Sequence, residues 1–111
     1  MSNIQPMLES ALEKLLFSQV RQRGGRAIKM APIQAGCPDR LVICPDGGMY
    51  LVELKTTDGR LEEIQKLWHE RLRRDTGVEV IVLYGPAGVM AWLDAVTADP
   101  VGTASTYART G

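Results

Sequence analysis

Apolar and polar positions alternate along this chain with two periods, and the switches between them mark its elements. Leu8, Leu12, Leu15, Leu16 and Val20 recur at helical spacing, Pro6 suits a first helical turn, and Gly24-Gly25 ends the run. A helix is expected from about Pro6 to Arg23. Arg26 to Met30 reads as a short strand, and Ala31 to Gly36 as a loop. Two apolar runs, Leu41 to Cys44 and Met49 to Lys55, flank Pro45-Asp46-Gly47-Gly48, the pattern of a hairpin. Leu61, Ile64, Leu67, Trp68 and Leu72 predict an amphipathic helix to about Asp75. Val78 to Tyr84 is the most apolar run and predicts a strand buried on both faces. Gly85 to Gly88 predicts a turn, and Val89 to Val96 a final helix. From Thr97 onward Thr, Ala, Gly and Ser dominate. One domain over 1–96 and a loosely held tail over 97–111 are therefore expected.

The order α-β-β-β-α-β-α implies an α/β fold, a central mixed β-sheet flanked by helices. The strand at Val78 follows a helical crossover and should lie parallel to the strand at Met49. The hairpin supplies the antiparallel part.

Candidate chemistry lies in the hairpin. Side chains on a strand alternate faces, so Tyr50, Val52 and Leu54 share one face and Met49, Leu51, Glu53 and Lys55 the other. If Asp46-Gly47-Gly48 forms a three-residue loop, Pro45 pairs with Met49, Leu41 faces Glu53, and Asp39 faces Lys55. Asp39 and Glu53 then become diagonal neighbours, about 7–8 Å apart at the backbone. A slip of one residue would send Asp39 to the other face. Two adjacent carboxylates repel unless a cation sits between them, and hard oxygen ligands suit Mg²⁺ or Mn²⁺. The plainer alternative is an ion pair of Lys55 with Asp39 or Glu53.

Pro38-Asp39, thirteen intervening residues, then Glu53-Leu54-Lys55 resembles the PD-(D/E)xK nuclease core. The extended pattern Gly36-Cys37-Pro38-Asp39, Val52-Glu53-Leu54-Lys55 and Gln65 resembles the VRR-NUC branch, over about Leu8 to Leu93. The departures are Cys37, where a β-branched or other small residue is common, and Glu62, where Ser or Thr is expected. The resemblance implies a restriction-endonuclease-like core and catalytic roles for Asp39, Glu53, Lys55 and Gln65. It implies a metal held by Asp39, Glu53 and the Leu54 backbone carbonyl, with Glu9 of the first helix as an additional carboxylate. Each has a plainer reading: Glu9 as a surface residue favoured by the helix dipole, Gln65 as a helix-start residue bonding back near Glu62 in a capping box. His69, one turn after Gln65, either faces a nucleic acid or is a solvated helix residue.

At 111 residues and 45% hydrophobic, the chain should form one globular domain. No apolar run approaches a membrane span, and no secretory leader is evident at the N-terminus. Cys37 and Cys44 sit on or beside one strand, and their separation along an extended chain disfavours a disulfide, so free thiols and a cytoplasmic location, bacterial or in a phage-infected cell, are expected. His69 is the only histidine, too few nitrogen ligands for a typical Zn site. Net charge is zero, which argues against bulk attraction to nucleic acid. Arg21, Arg23, Arg26 and Lys29 form a local cluster, as do Arg71, Arg73 and Arg74. Arg26, Lys29 and Arg40 are the candidate DNA contacts. For Lys29, an edge-strand lysine that discourages aggregation is the alternative.

The expected function is therefore a Mg²⁺- or Mn²⁺-dependent DNA endonuclease, structure-selective for branched or four-way DNA. A homodimer is expected because two cuts need two sites, with the first helix or the segment around Trp92 as the shared surface. The competing reading is an inactive relative that binds nucleic acid or protein.

Overall fold

In the computed structural model, residues 7–31 and 34–98 are described. The elements in order are α1 (Glu9–Gln22), β1 (Arg26–Lys29), β2 (Arg40–Ile43), β3 (Met49–Lys55), α2 (Glu63–Thr76), β4 (Ile81–Tyr84) and α3 (Gly85–Val96). The strands form one sheet in the order β1-β2-β3-β4, antiparallel up to β3 and parallel between β3 and β4. The expected α/β fold, a mixed sheet with flanking helices, is therefore observed.

Alternation along β3 sets the layers. Val52 and Leu54 are fully buried with Val42, Cys44 and Leu83 from neighbouring strands. Onto this face pack Leu12, Leu16 and Val20 of α1 and Val89 and Leu93 of α3. Their spacings of four residues are those that line up on one helix face. Tyr50 extends the layer by meeting Trp92 edge-on, with ring centroids 5.3 Å apart at 89°. The surfaces expected to support a dimer, α1 and the Trp92 segment, are thus largely spent inside the fold. Cys37 and Cys44 are both free thiols, and Cys44 is buried.

The opposite face carries α2, which contains no buried residue. Ile64 and Leu67 remain 45% and 47% exposed, so this helix is held by particular contacts rather than by a shared core. Trp68 Nε1 donates to the Ala35 carbonyl at 3.0 Å. Gly36, at φ +83°, lies so close to Ile64 that a Cβ would come within 2.8 Å of its side chain. The glycine thus permits both the left-handed turn and the approach of the helix.

Several boundaries depart from the sequence expectation. The helix start expected at Pro6 lies outside the described residues, and α1 as described begins at Glu9. The final helix begins at Gly85, four residues earlier than expected. Pro86 falls at its first positions, where the missing N–H costs nothing. The run Val78–Val80 precedes β4 rather than joining it, and Val78 and Tyr84 are 41% and 43% exposed. This strand is not buried on both faces, because α2 does not cover it fully. The expected tail falls, from residue 99, outside the described residues.

The hairpin register is shifted by two from the expected one. Ile43 pairs with Met49, Leu41 with Leu51, and Arg40 with Val52. The three loop residues are Pro45-Asp46-Gly47, closed by Gly47 N to Cys44 O at 2.9 Å and Cys44 N to Gly48 O at 2.8 Å. Pro45 suits the second turn position, Gly47 takes the left-handed conformation at φ +90°, and Asp46 Oδ1 accepts from Gly48 N at 2.8 Å. A shift of two preserves the faces.

One buried charge ties α1 to this hairpin. Arg40 is 5% exposed, and its guanidinium meets Glu13 at 2.9 Å, Glu9 at 3.4 Å and Asp39 at 3.5 Å. Burial works against the Arg40 charge, but the hydrogen bond it donates to Glu13 and the charges of Asp39, Glu13 and Glu9 outweigh it and raise its pKa. Burial also disfavours the Glu13 carboxylate. Arg40 and Lys29 more than compensate and hold its pKa below the ordinary value.

Glu13→Gln should therefore destabilise the fold by about 1.5–3 kcal/mol, since a buried guanidinium loses its best partner. A depressed carboxylate contributes stability above its unfolded pKa and loses it as pH falls through the folded one. Urea titrations of both proteins should show the gap at neutral pH and its closure in acid. A constant gap at all pH values would mean that Glu13 acts through packing alone.

Candidate active site

Glu53 and Lys55 share one face of β3 by strand alternation, and the charges of Asp39 and Lys55 both act on Glu53. The β2–β3 ladder ends at Arg40↔Val52, so Asp39 stands just before it, with its Oδ1 3.5 Å from Arg40 Nη1. Lys55 follows two residues after Glu53 on the same face, half-buried, beside Tyr84 of β4. Because β2 ends at Arg40, the segment Glu53-Leu54-Lys55 runs past the last β2 pair. The Leu54 side chain is in the core.

Glu53 is the unusual group, a carboxylate 5% exposed in the middle of a sheet. Burial pushes its pKa up. His69 and Lys55 pull the other way, and the nearby charge of Asp39 adds to the rise. The net direction is upward: without a cation, the Glu53 charge is unfavourable in the fold.

His69 is the residue that sequence reasoning left undecided. Its Nε2 lies 3.4 Å from Glu53 Oε1, and the two side chains are only 14% and 7% exposed. It is not a solvated helix residue. The available clue was its position one turn after Gln65, on the flank of α2 that turns toward the sheet.

Other predicted residues are placed differently. Gln65 adopts the capping-box alternative: its Oε1 accepts from Glu62 N at 2.8 Å, while the Glu62 side chain caps the Gln65 N–H. Glu62, out of pattern for the family resemblance, thus still works as a cap. Arg40 is not presented to solvent, and the expectation that it contacts a phosphate is corrected by its burial among carboxylates. Lys29 pairs with Glu13 at 3.3 Å. Arg26 is exposed but pairs with Ile43, at the far end of the hairpin from Asp39. Arg23 is bound to Asp94 at 2.7 Å, so the first basic cluster is partly neutralised. Glu9 is turned to Arg40. Among the described residues, no group of three or more His, Cys, Asp or Glu is gathered as a ready metal cage. No helix among them is long and apolar enough to cross a membrane.

Comparisons with known proteins agree on one family. Residues 4–87 match the family described as the VRR-NUC domain. A phage protein, "Putative nuclease p44" of Acyrthosiphon pisum secondary endosymbiont phage 1, is 42% identical over 76 residues, which cover 68% of this chain and 81% of that protein. A solved structure described as a VRR_NUC domain superposes with a TM-score of 0.68 at 28% identity, over 78% of this chain and 94% of the other.

The raised Glu53 pKa has a measurable consequence. A carboxyl whose pKa is higher folded than unfolded favours the fold most at low pH. That contribution is lost as pH rises from the unfolded value, about 4.5, through the folded one. Glu53→Gln should therefore melt higher than the wild type at neutral pH without metal. An increment of about 4–8 °C corresponds to about 1 kcal/mol in a domain near this size. Calorimetry from pH 4 to 8 checks it: the difference should shrink toward pH 4. A lower melting temperature at pH 7 would show that the ionised Glu53 is stabilising.

Proposed function

The chain belongs to the VRR-NUC domain family, and from that premise we propose that it is a divalent-metal-dependent nuclease that hydrolyses DNA phosphodiesters at the Asp39–Glu53–Lys55 face. The observation that carries the proposal is a buried carboxylate, Glu53, with a second carboxylate, Asp39, near enough for its charge to act on it and an ammonium two residues along the strand. Such a pair is costly on its own and favourable around a dication. The donor set therefore fits Mg²⁺ or Mn²⁺, with hard oxygens and room for water.

Asp39 and Glu53 would hold the ion, with the Leu54 carbonyl beside them on the strand. Glu9 would join only by leaving Arg40, from which it is 3.4 Å away. When bound, the metal would lower the pKa of a water and offset charge on the phosphate. Lys55 orients the attacking water or a phosphate oxygen, and its charge favours the anionic transition state. The half-buried position of Lys55 limits competing solvent and strengthens that electrostatic effect.

Branched DNA and a two-fold dimer extend the reading. Duplex cleavage or junction resolution needs two cuts, and a C2 pair of sites matches the symmetry of a four-way junction. With the apolar stripe of α1 engaged in the core, exposed apolar side chains that could serve a dimer include Ile64 and Leu67 of α2, Ile28 and Met49 of the sheet, and Leu8 before α1. The competing reading, an inactive binding relative, is disfavoured because the motif residues Asp39, Glu53, Lys55 and Gln65 are all present in the sequence.

The test uses labelled linear, flapped and four-way DNAs with Mg²⁺, Mn²⁺ or EDTA, alongside light scattering. Cleavage should require metal, Asp39→Asn should abolish it, and Lys55→Ala should lower it by about 10²–10³-fold. Equal rates for Asp39→Asn and wild type would defeat the assignment. A monomer that cuts linear duplex as fast as a junction would remove only the dimer and branch preference.

Gln65 can be tested apart from its cap. Glu is as good as Gln at the third position of a capping box, so Gln65→Glu should keep the melting temperature. It adds negative charge near the phosphate and should reduce cleavage if Gln65 also serves the substrate. Unchanged activity together with unchanged stability would leave Gln65 as a cap only.

A further inference from the structure

We infer that His69 is a positioning residue for the metal ligand Glu53: its imidazole holds one carboxylate oxygen, Oε1, and leaves the other for the ion. This rests on the reading of Asp39 and Glu53 as metal ligands, and it adds a residue that the nuclease motif does not contain.

Geometry carries the argument. Glu53 lies at a buried point of the sheet where a carboxylate needs partners for its lone pairs. Among the described residues, the hydrogen-bond contact recorded for its side chain is to His69 Nε2, at 3.4 Å. Both side chains are shielded from solvent, so the contact is not screened as a surface pair would be. Lys55 lies two residues along the same strand, and Asp39 stands just before the end of the β2–β3 ladder. The imidazole approaches from α2 and occupies one carboxylate oxygen, Oε1, from the helix side.

Gln65 was the helix residue expected to serve the site from α2. Its Oε1 is engaged at the helix start by Glu62 N. His69, one turn further along, is the residue that reaches the sheet. A helix that buries no residue of its own depends on such contacts for its position. The His69–Glu53 and Trp68–Ala35 contacts anchor adjacent residues of α2 to the α2 face of the sheet and to the loop before β2. Partners that orient a metal ligand typically change metal affinity by 10–100-fold when removed.

The experiment measures Mg²⁺ and Mn²⁺ binding by isothermal titration calorimetry on the full chain without DNA. The proteins are wild type, Asp39→Asn, His69→Phe and His69→Gln, with melting temperatures recorded in EDTA. His69→Phe should bind both ions about 10-fold more weakly, and His69→Gln, which keeps a donor for Oε1, should recover most of the loss. Cleavage at saturating metal should fall less than affinity does. If His69→Phe does not fold, His69→Ala takes its place in the comparison with His69→Gln.

Metal binding equal to wild type in His69→Phe, with binding lost in Asp39→Asn, would overturn this inference and leave the nuclease reading intact. Loss of Mn²⁺ affinity with Mg²⁺ affinity unchanged would also overturn it, since a nitrogen ligand favours the softer ion and His69 would then be a ligand itself. A wild-type protein that binds neither ion would remove the metal reading and this inference together.

Discussion

The buried Arg40 guanidinium is the constraint on which the rest of the arrangement depends. A charge at 5% exposure is tolerable only when several partners surround it. Glu13 and Glu9 reach it from successive turns of α1, and Asp39 from the start of β2. These contacts fix where the first helix crosses the sheet and hold the residue next to the site at a strand end. They also explain why the acidic residues of α1 do not gather around Glu53. Lys29, drawn to Glu13, is part of the same network. Asp39 therefore belongs to two electrostatic systems: Arg40 beside it in sequence, and Glu53, on which its charge acts.

The second helix is built by the opposite logic. One face of the sheet is sealed by leucines and valines from α1 and α3. The other is met by α2 through a few directed contacts and the close approach at Gly36. Packing on the first face supplies rigidity, because a close-packed core resists small displacements. Loose attachment on the second face leaves α2 largely exposed. Glu53 and Lys55 on β3 are thus backed by the packed half of the molecule, while His69, which meets Glu53, is carried by the more exposed half. Elements with few buried apolar contacts lie at the low-stability end of a fold.

What the sequence disclosed follows from which physical rules are local. The faces of β3 were legible because alternation depends on strand geometry alone, and they survived a register error of two. The loop position was not, since Pro45-Asp46-Gly47 and Asp46-Gly47-Gly48 both supply turn chemistry, and hydrogen-bond closure at Cys44 and Gly48 decides between them. Asp39, Glu53 and Lys55 were singled out through motif spacing, and the common face of Glu53 and Lys55 follows from the strand period. Arg40 was misplaced because a charged side chain in sequence carries no mark of burial. Its partners lie 27 and 31 residues away on another element. Gln65 and His69 share a helix flank at a spacing of four, so periodicity alone could not tell which would reach Glu53. The capping geometry at Glu62 separates them.

Zero net charge acquires a structural meaning once the ion pairs are placed. Arg40, Lys29 and Arg23 are neutralised within the fold by Glu13, Glu9, Asp39 and Asp94. A substantial part of the basic side chains therefore serves architecture, and the first basic cluster does not form a continuous track for a phosphate backbone. On the proposed reading, recognition would shift from broad attraction toward the reacting phosphate itself, where Lys55 and an ion would provide positive charge. Counterion release scales with the number of phosphates neutralised, so binding that uses few basic contacts depends less steeply on salt. Selectivity would then rest on the fit of a distorted or branched backbone more than on charge density along a regular duplex.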